Sequence, residues 1–111
     1  MERRVQLLEN KEYQLRYTPS FDDDFTETVR YIAEVLQNPQ AAEKLIDDTE
    51  KMIMERLKAP CAYQPFKSVR ARKYPYYRIN VHNYAVFYVV IDHVMEVRRF
   101  LYSGRELEQI L

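Results

Sequence analysis

Apolar residues near the start of the chain recur first at every second position and then at every third or fourth. Tyr13 to Tyr17 alternates large apolar and polar side chains, which is typical of a half-buried strand. A helix is predicted next, capped either by Thr18 with Pro19 in the first helical position or by Ser20. Acidic residues 22–24 lie in its first turn, where the helix dipole favours negative charge. Its apolar stripe comprises Phe21, Phe25, Val29, Ile32 and Leu36.

A second helix is predicted directly after the first. Asn38 can cap it with Pro39 in the first helical position, and Pro60 limits its other end. Its predicted inward face comprises Ala42, Leu45, Ile46, Thr49, Met52, Ile53, Arg56 and Leu57. Because the break between the two helices is tight, we expect them to form an antiparallel hairpin.

The C-terminal half has the character of strands joined by short turns. Strands are predicted over Tyr76–Val81, Tyr84–Ile91 and Val94–Tyr102. Tyr84–Ile91 is apolar at every position, which predicts a central strand covered on both sides. His82-Asn83 and Asp92-His93 are the predicted turns, with Asn83 able to adopt positive φ.

The predicted fold class is therefore α+β. An N-terminal strand is followed by an antiparallel two-helix hairpin and then by a three-stranded antiparallel meander. The strands are expected to form one small sheet. Ser103 to Glu106 has capping-box spacing, which predicts a short C-terminal helix. We expect one domain over residues 1–111, with residues 1–12 as a flexible arm. The helices are expected to cover one sheet face and to leave the other, at least in part, for something else to cover.

Charge is unevenly distributed along a chain whose formal net charge is zero. Residues 1–65 carry 9 Lys and Arg against 13 Asp and Glu, whereas residues 66–105 carry 8 against 2. A basic block of this kind can face phosphate or an acidic partner, although its arginines could also be merely solvated. No apolar run is long enough for a membrane span, and Cys61 is the single cysteine. A cytoplasmic location is therefore expected.

Two segments of the C-terminal half resemble the RelE/ParE superfamily. Tyr77–Val81 followed by Asn83–Tyr88 is similar to the paired strands of the family, and Val97–Glu106 resembles its closing strand and basic ending. The chain departs from the family pattern at two places. Tyr102 stands where many members have His, and Ser103–Glu106 replaces the usual Gly-Arg-Arg-Asp.

This resemblance implies the toxin of a type II toxin–antitoxin system, held inactive by a protein antitoxin in a hetero-oligomer. Neither a cofactor nor a metal is expected. The toxin would arrest growth by metal-independent, ribosome-associated cleavage of mRNA or by blocking translation. The alternative is ParE-like inhibition of DNA gyrase without catalysis. A third possibility is a degenerate member that retains only antitoxin binding.

Metal-independent RNA cleavage requires a base, an acid and cations that stabilise the phosphorane. On this reading the predicted catalytic residues are Arg78, Arg98, Tyr102 and Arg105. The predicted RNA-binding residues are Lys67, Arg72 and Lys73. Strict alternation would place Arg98 and Tyr102 on one face of the last strand.

Simpler roles exist for the same residues. Arg98 or Arg99 could pair with a helix carboxylate, and Tyr102 could cover the core. His82 and His93 lie in turns at opposite ends of the central strand, so they are not assigned to the site. The single glycine excludes a Gly-rich phosphate loop, and the sequence offers neither a Cys/His metal cluster nor a Ser-His-Asp arrangement.

Overall fold

Two helices and four strands make up the described part of the computed structural model, which covers residues 12–66, 72–104 and 111. In chain order the elements are β1 (Gln14–Tyr17), α1 (Pro19–Arg30), a π-helical turn (Tyr31–Val35), α2 (Pro39–Leu57), β2 (Tyr77–Val81), β3 (Tyr84–Ile91) and β4 (Val94–Tyr102). This order confirms the predicted α+β class. The predicted C-terminal helix lies outside the described residues. No helix in the described ranges is long and apolar enough to cross a membrane.

The four strands form one mixed sheet in the order β1-β4-β3-β2. Both hairpins of the meander are antiparallel, as predicted. β1 joins the sheet parallel to β4, with Gln14 opposite Val94. β3 is a central strand, and Ala85 to Val89 are all fully buried on the two sides of the sheet. The prediction that β3 is covered on both sides is therefore confirmed.

Both predicted two-residue turns are present, but positive φ falls on a different residue. His82 has φ 53° and Asp92 has φ 57°, so the first residue of each turn is left-handed, whereas Asn83 is not. His and Asp are among the few residues other than glycine that adopt this conformation with some frequency. The His82 side chain is also held in place, because its Nε2 lies 2.7 Å from Asp48 Oδ2 on α2.

Side-chain caps begin both helices. Thr18, and not the alternative Ser20, caps α1: its Oγ1 accepts a hydrogen bond from the backbone N–H of Phe21 at 3.2 Å. Asn38 caps α2, with its Oδ1 accepting from the N–H of Ala41 at 3.1 Å. A proline follows each cap in the first turn, as the sequence predicts.

Two residues of the predicted apolar faces, one in each helix, are exposed and not buried in the core. Leu36 is 56% exposed. It follows the π-helical turn, in which the Leu36 N–H bonds to the Tyr31 C=O, and this turn interrupts the apolar stripe before Leu36. Gln37 then leaves the helix with φ 52°. Met52 is 37% exposed, because it lies beyond the edge of the buried stripe of α2. The fully buried residues of α2 are Ala42, Leu45, Thr49 and Ile53.

Apolar side chains are buried on both sides of the sheet. The helix-side core includes Phe21, Leu45, Ile53, Ile79, Val86, Tyr88, Met95, Val97 and Phe100. The opposite side has a smaller core of Tyr76, Ala85, Phe87, Val89, Leu101 and Leu111, with Phe66, Tyr74 and Ile91 packed against it. The chain itself therefore covers part of the face that the sequence analysis left for something else.

A β-bulge interrupts β4 opposite Phe87. Phe87 is paired with Arg99, and the next residue pair is Tyr88 with Val97, so Arg98 has no partner across the ladder. An extra residue of this kind reverses the side-chain alternation beyond it, because the period of a strand is two. The bulge therefore decides which residues of β4 face the helices.

The bulge separates two residues that strict alternation placed on one face. Val97 and Phe100, three positions apart, both enter the helix-side core. Beyond them Tyr102 also lies on the helix side, where its ring centroid is 5.9 Å from that of Tyr84. Arg98 lies on the opposite side of the sheet. The prediction that Arg98 and Tyr102 share a face is therefore wrong.

The carboxylate of Asp24 on α1 accepts hydrogen bonds from two residues of β4 beside this bulge. Its Oδ2 accepts hydrogen bonds from Arg99 Nε at 2.7 Å and from the backbone N–H of Phe100 at 3.0 Å. Its Oδ1 accepts from Arg99 Nη2 at 3.2 Å. The hydrogen bonds from Arg99 to Asp24 raise the pKa of the guanidinium against the opposing effect of its partial burial. The simpler role considered for Arg99, pairing with a helix carboxylate, is confirmed.

We expect Asp24→Ala to lower the free energy of unfolding by about 3 kcal/mol, because it removes a bidentate charged pair and leaves the Phe100 N–H unsatisfied. Urea unfolding measures this change. Asp23→Ala is the matched control on the same helix, and its exposed side chain should change stability by no more than about 0.5 kcal/mol. Equal losses in the two variants would show that Asp24 contributes only as a negative charge on α1 and not through its bonds to Arg99 and Phe100.

Candidate functional site

Three of the predicted site residues surround aromatic rings on the sheet face opposite the helices, which we call the open face. The Arg72 Cζ lies 4.8 Å from the Tyr76 ring centroid, and the Arg98 Cζ lies 6.0 Å from the same centroid. The Arg78 Cζ lies 5.8 Å from the Phe87 ring centroid. Arg78 thus points away from the helix side, as its place in β2 predicts. Guanidinium groups on aromatic rings form a flat cationic surface.

Glu96 of β4 joins two arginines on the open face. Its Oε1 accepts from Arg98 Nε at 2.7 Å, and its Oε2 accepts from Arg16 Nε at 2.8 Å. Partial burial raises the pKa of Glu96, but the hydrogen bonds from Arg98 and Arg16 outweigh it and hold the pKa below its usual value. Arg16 was not among the predicted site residues. Alternation in β1 places it on the polar side, but nothing local in the sequence indicates its partner.

Arg72 has donors that lack acceptors. Its Nε and Nη2 are shielded from solvent and have no hydrogen-bond partner within residues 12–66, 72–104 and 111. Guanidinium N–H groups buried without an acceptor are costly, and because these two have almost no accessible surface, an incoming carboxylate or phosphate oxygen does not reach them in this arrangement. Arg72 therefore contributes positive charge to the open face rather than accessible unpaired donors.

Tyr102 lies apart from the three arginines, whereas Lys73 follows Arg72 directly in the chain. Tyr102 is 52% exposed on the helix side, and its ring lies against Tyr84 and against the backbone of Gly104. Lys73 is exposed, with its Nζ 5.5 Å from the ring centroid of Tyr74. The possibility that Tyr102 covers the edge of the core agrees with its contact with Tyr84.

The two remaining predicted residues, Lys67 and Arg105, lie outside the described residues. Within the described ranges the structure therefore brings Arg72, Arg78 and Arg98 together and places Tyr102 on the other side of the sheet.

The two histidines lie at opposite ends of β3, as predicted, and away from the open face. His82 Nε2 is 2.7 Å from Asp48 Oδ2, which also lies 3.2 Å from Lys44 Nζ. Hydrogen bonds from His82 and Lys44 lower the pKa of Asp48. The His93 ring centroid is 5.8 Å from that of Tyr13, beside β1. Neither histidine is placed to exchange a proton with a group bound at the three arginines.

A carboxylate on the open face is not suited to catalysis either. Glu96 is ionised, but both of its oxygens already accept hydrogen bonds from arginines. A carboxylate with a lowered pKa is a weak general base. The described part of the open face therefore offers cationic and aromatic contacts without an evident acid–base pair.

A second surface lies between α1 and α2. An open groove of about 400 Å³, which we call the helix groove, runs along the hairpin. It continues past Phe25 into a cleft of about 180 Å³ near the start of α1. The apolar residues that line the groove and the cleft are Phe21, Phe25, Val29, Ala33, Ile46 and Ile53. An apolar groove of this shape suits an amphipathic helix of a partner.

Comparisons with known proteins agree with this architecture. The sequence model of a family described as the ParE toxin of type II toxin–antitoxin system, parDE, matches residues 15–107. A solved structure of a chromosomal ParDE toxin–antitoxin system from P. aeruginosa is similar, with a TM-score of 0.69 and 13% identity over 83% of this chain and 97% of that chain. At this identity the likeness establishes the fold alone.

A YoeB dimer from Staphylococcus aureus is 23% identical over 82% of this chain and 97% of that chain, with a TM-score of 0.44. No curated protein sequence matches the chain.

The ion pairs of Glu96 predict a dependence of stability on pH. Because the folded-state pKa of Glu96 lies below its usual value of 4.5, its stabilising effect is complete above pH 4.5. It is lost as the pH falls through the folded-state pKa. We expect the stability difference between the native chain and Glu96→Gln to be largest near neutral pH and to shrink towards pH 3.

Urea unfolding at pH 7, 5, 4 and 3 measures this difference. Glu43→Gln, an exposed position on α2, is the control for the general effect of acid on the net charge. A difference between the native chain and Glu96→Gln that stays constant down to pH 3 would contradict the ion-pair explanation.

Proposed function

The chain belongs to the ParE family of toxins of type II toxin–antitoxin systems, and from this membership we propose that it arrests growth by binding DNA gyrase without catalysis of its own. The family implies a protein antitoxin as its partner. This proposal reverses the order in which the sequence analysis placed mRNA cleavage and gyrase inhibition. The separation of Arg98 from Tyr102 by the bulge is the observation that carries it.

Cleavage of RNA needs an acid and a base within hydrogen-bond reach of one phosphate. Tyr102, predicted either to stack on a base or to relay a proton, lies on the helix side of the sheet, across from Arg98. Glu96 is the carboxylate bonded to Arg98, but both of its oxygens already accept hydrogen bonds, one from Arg98 and one from Arg16. The described residues thus favour a contact surface over a catalytic one.

Inhibition by binding requires only a surface with a few strong contacts. Arginine and tyrosine are enriched among the residues that dominate the affinity of protein interfaces. On the open face Tyr76 lies between Arg72 and Arg98, and Arg78 lies near Phe87. We therefore assign this surface to the target, with Arg72, Arg78 and Arg98 as its central contacts.

The antitoxin is assigned to the opposite side of the molecule. The helix groove is apolar, and Val35 and Leu36 continue its apolar character at the hairpin tip, where they are 64% and 56% exposed. Large exposed apolar surfaces of this kind are typical of interaction sites. An amphipathic antitoxin helix would bury them.

Ribosome-dependent mRNA cleavage is the second candidate. It is favoured by the positive charge that Arg72, Arg78 and Arg98 place on one face, which suits a phosphate backbone. Its catalytic step would depend on groups other than Tyr102 and Glu96.

Two parallel assays on the purified toxin, released from its antitoxin, separate these candidates. We expect inhibition of gyrase supercoiling, with no new mRNA 5′ ends in a coupled translation reaction. Arg98→Ala should weaken the inhibition by about tenfold through loss of a central contact. Lys51→Ala, an exposed position on α2, is the control and should inhibit like the native chain.

Other outcomes would overturn the proposal. New 5′ ends inside translated codons that are lost on Tyr102→Phe would identify a ribosome-dependent nuclease. Antitoxin binding with neither inhibition nor cleavage would identify a member that retains only its antitoxin contact.

A further inference from the structure

The arginines of the sheet differ in how much of each guanidinium the chain itself uses. Arg99 donates both its Nε and its Nη2 to Asp24, so one edge of its guanidinium is occupied. Arg16 uses the same two nitrogens on Glu96, with its Nε at 2.8 Å and its Nη2 at 2.6 Å from Oε2. A guanidinium held in this forked way has given its bidentate edge to the chain and has less to offer a partner.

Arg78 and Arg98 are held differently, because only the Nε of each donates to a neighbouring acceptor. Arg78 Nε donates to Asn80 Oδ1 at 2.7 Å, and Arg98 Nε donates to Glu96 Oε1 at 2.7 Å. Each acceptor lies two positions from its arginine on the same strand and shares the open face with it. Both arginines are partly exposed, and in contrast to Arg72 neither has a nitrogen that is both buried and unpaired among the described residues.

Aromatic rings restrain the same two guanidiniums. The Arg78 Cζ lies 5.9 Å from the ring centroid of Phe66 and 5.8 Å from that of Phe87. The Arg98 Cζ lies 6.0 Å from the Tyr76 centroid, and the Tyr76 hydroxyl is a further hydrogen-bond partner of this guanidinium. A side chain fixed at its Nε and beside a ring loses little rotamer freedom when its terminal nitrogens meet a partner. Both arginines are therefore preorganised for binding.

The terminal nitrogens of these guanidiniums suit a carboxylate. Arginine bonds the two oxygens of a carboxylate or of a phosphate with parallel donors. A nucleic-acid backbone carries closely spaced charges that would also meet the ionised Glu96, and a chain of zero formal net charge attracts a polyanion weakly. Separate carboxylates on a protein surface can bond the arginines and avoid Glu96. The site thus favours an acidic protein segment over RNA.

We propose that Asn80 and Glu96 are positioning residues that prepare two open-face arginines to bind carboxylates of the target protein. Asn80 fixes Arg78 and Glu96 fixes Arg98, in each case through Nε, which leaves the terminal nitrogens to the target. The inference rests on the proposed function in taking gyrase as that target. The effect of both positioning residues on binding is exerted through the arginines.

The hold on each arginine can be measured on the purified toxin alone. In NMR spectra of isotope-labelled toxin, the Nε–H groups of Arg78 and Arg98 should exchange with water more slowly than that of the exposed Arg30, because a hydrogen bond must open first. Asn80→Ala should remove the protection of Arg78 and leave that of Arg98 unchanged. Equal exchange at all three arginines of the native toxin would overturn the inference whatever the target is.

Affinity for gyrase tests the consequence for binding. Asn80→Ala should weaken it by about threefold to tenfold, the range expected when one more side chain must be immobilised on binding. In a toxin that already carries Arg78→Ala, the same change should have no further effect, because Asn80 acts through Arg78. Asn83→Ala, at an exposed position in the turn after β2, is the matched control. An equal loss with and without Arg78 would overturn the positioning role.

Glu96 is tested by the sign of its effect. If Glu96 acted only through its charge, Glu96→Ala would strengthen the attraction of an acidic partner, whereas loss of the hold on Arg98 weakens binding. We expect weaker binding, by about threefold to tenfold, in variant toxin that urea unfolding shows to be folded. Tighter binding would overturn the positioning role of Glu96.

A charge exchange tests the class of the ligand and separates this inference from the function on which it rests. Arg78→Glu should weaken gyrase binding by at least about tenfold, and one Asp or Glu of gyrase changed to Arg should restore it. Failure of every such change to restore binding would overturn the carboxylate and leave the gyrase assignment intact. A native toxin that binds no gyrase but cleaves ribosome-bound mRNA would overturn both, because its arginines would then face phosphate.

Discussion

The extra residue in β4 is the constraint on which both faces of the sheet depend. It allows Val97 and Phe100 to enter one core and thereby turns Arg98 to the open face. Asp24 on α1 holds the backbone in this arrangement through Arg99 and the Phe100 N–H. The packing of the first helix and the position of Arg98 are therefore coupled, because one carboxylate contributes to both.

This arrangement places two surfaces of different chemistry on opposite sides of one sheet. The helix groove is apolar with an acidic end, and the open face is cationic and aromatic. Partners with opposite chemistry can therefore be distinguished by a single small domain. A segment held only in the groove leaves the arginines accessible, so neutralisation by steric cover requires the antitoxin chain to pass around an edge of the sheet, at β1 or β2.

The fold could be predicted because its signals are local: two capped helices with proline in the first turn, and strands joined by two-residue turns. The site could be predicted only in part. The face of Arg78 follows from simple alternation because β2 is regular, whereas the face of Arg98 depends on a bulge that strict alternation does not contain. Two adjacent polar residues between apolar ones, Arg98-Arg99, were the available signal. The ion pair of Arg16 with Glu96 depends on strand register, which no short segment specifies.

The parallel pairing of β1 with β4 has a consequence for biosynthesis. Paired residues of these strands are 80 positions apart, and β4, the last described strand, lies between β1 and β3. During translation β1 therefore emerges long before β4 has been made, and the four-stranded sheet cannot form until most of the chain has been synthesised. A ribosome that stops before Val94 therefore releases a fragment without β4, one of the two inner strands of the sheet, and without Arg98.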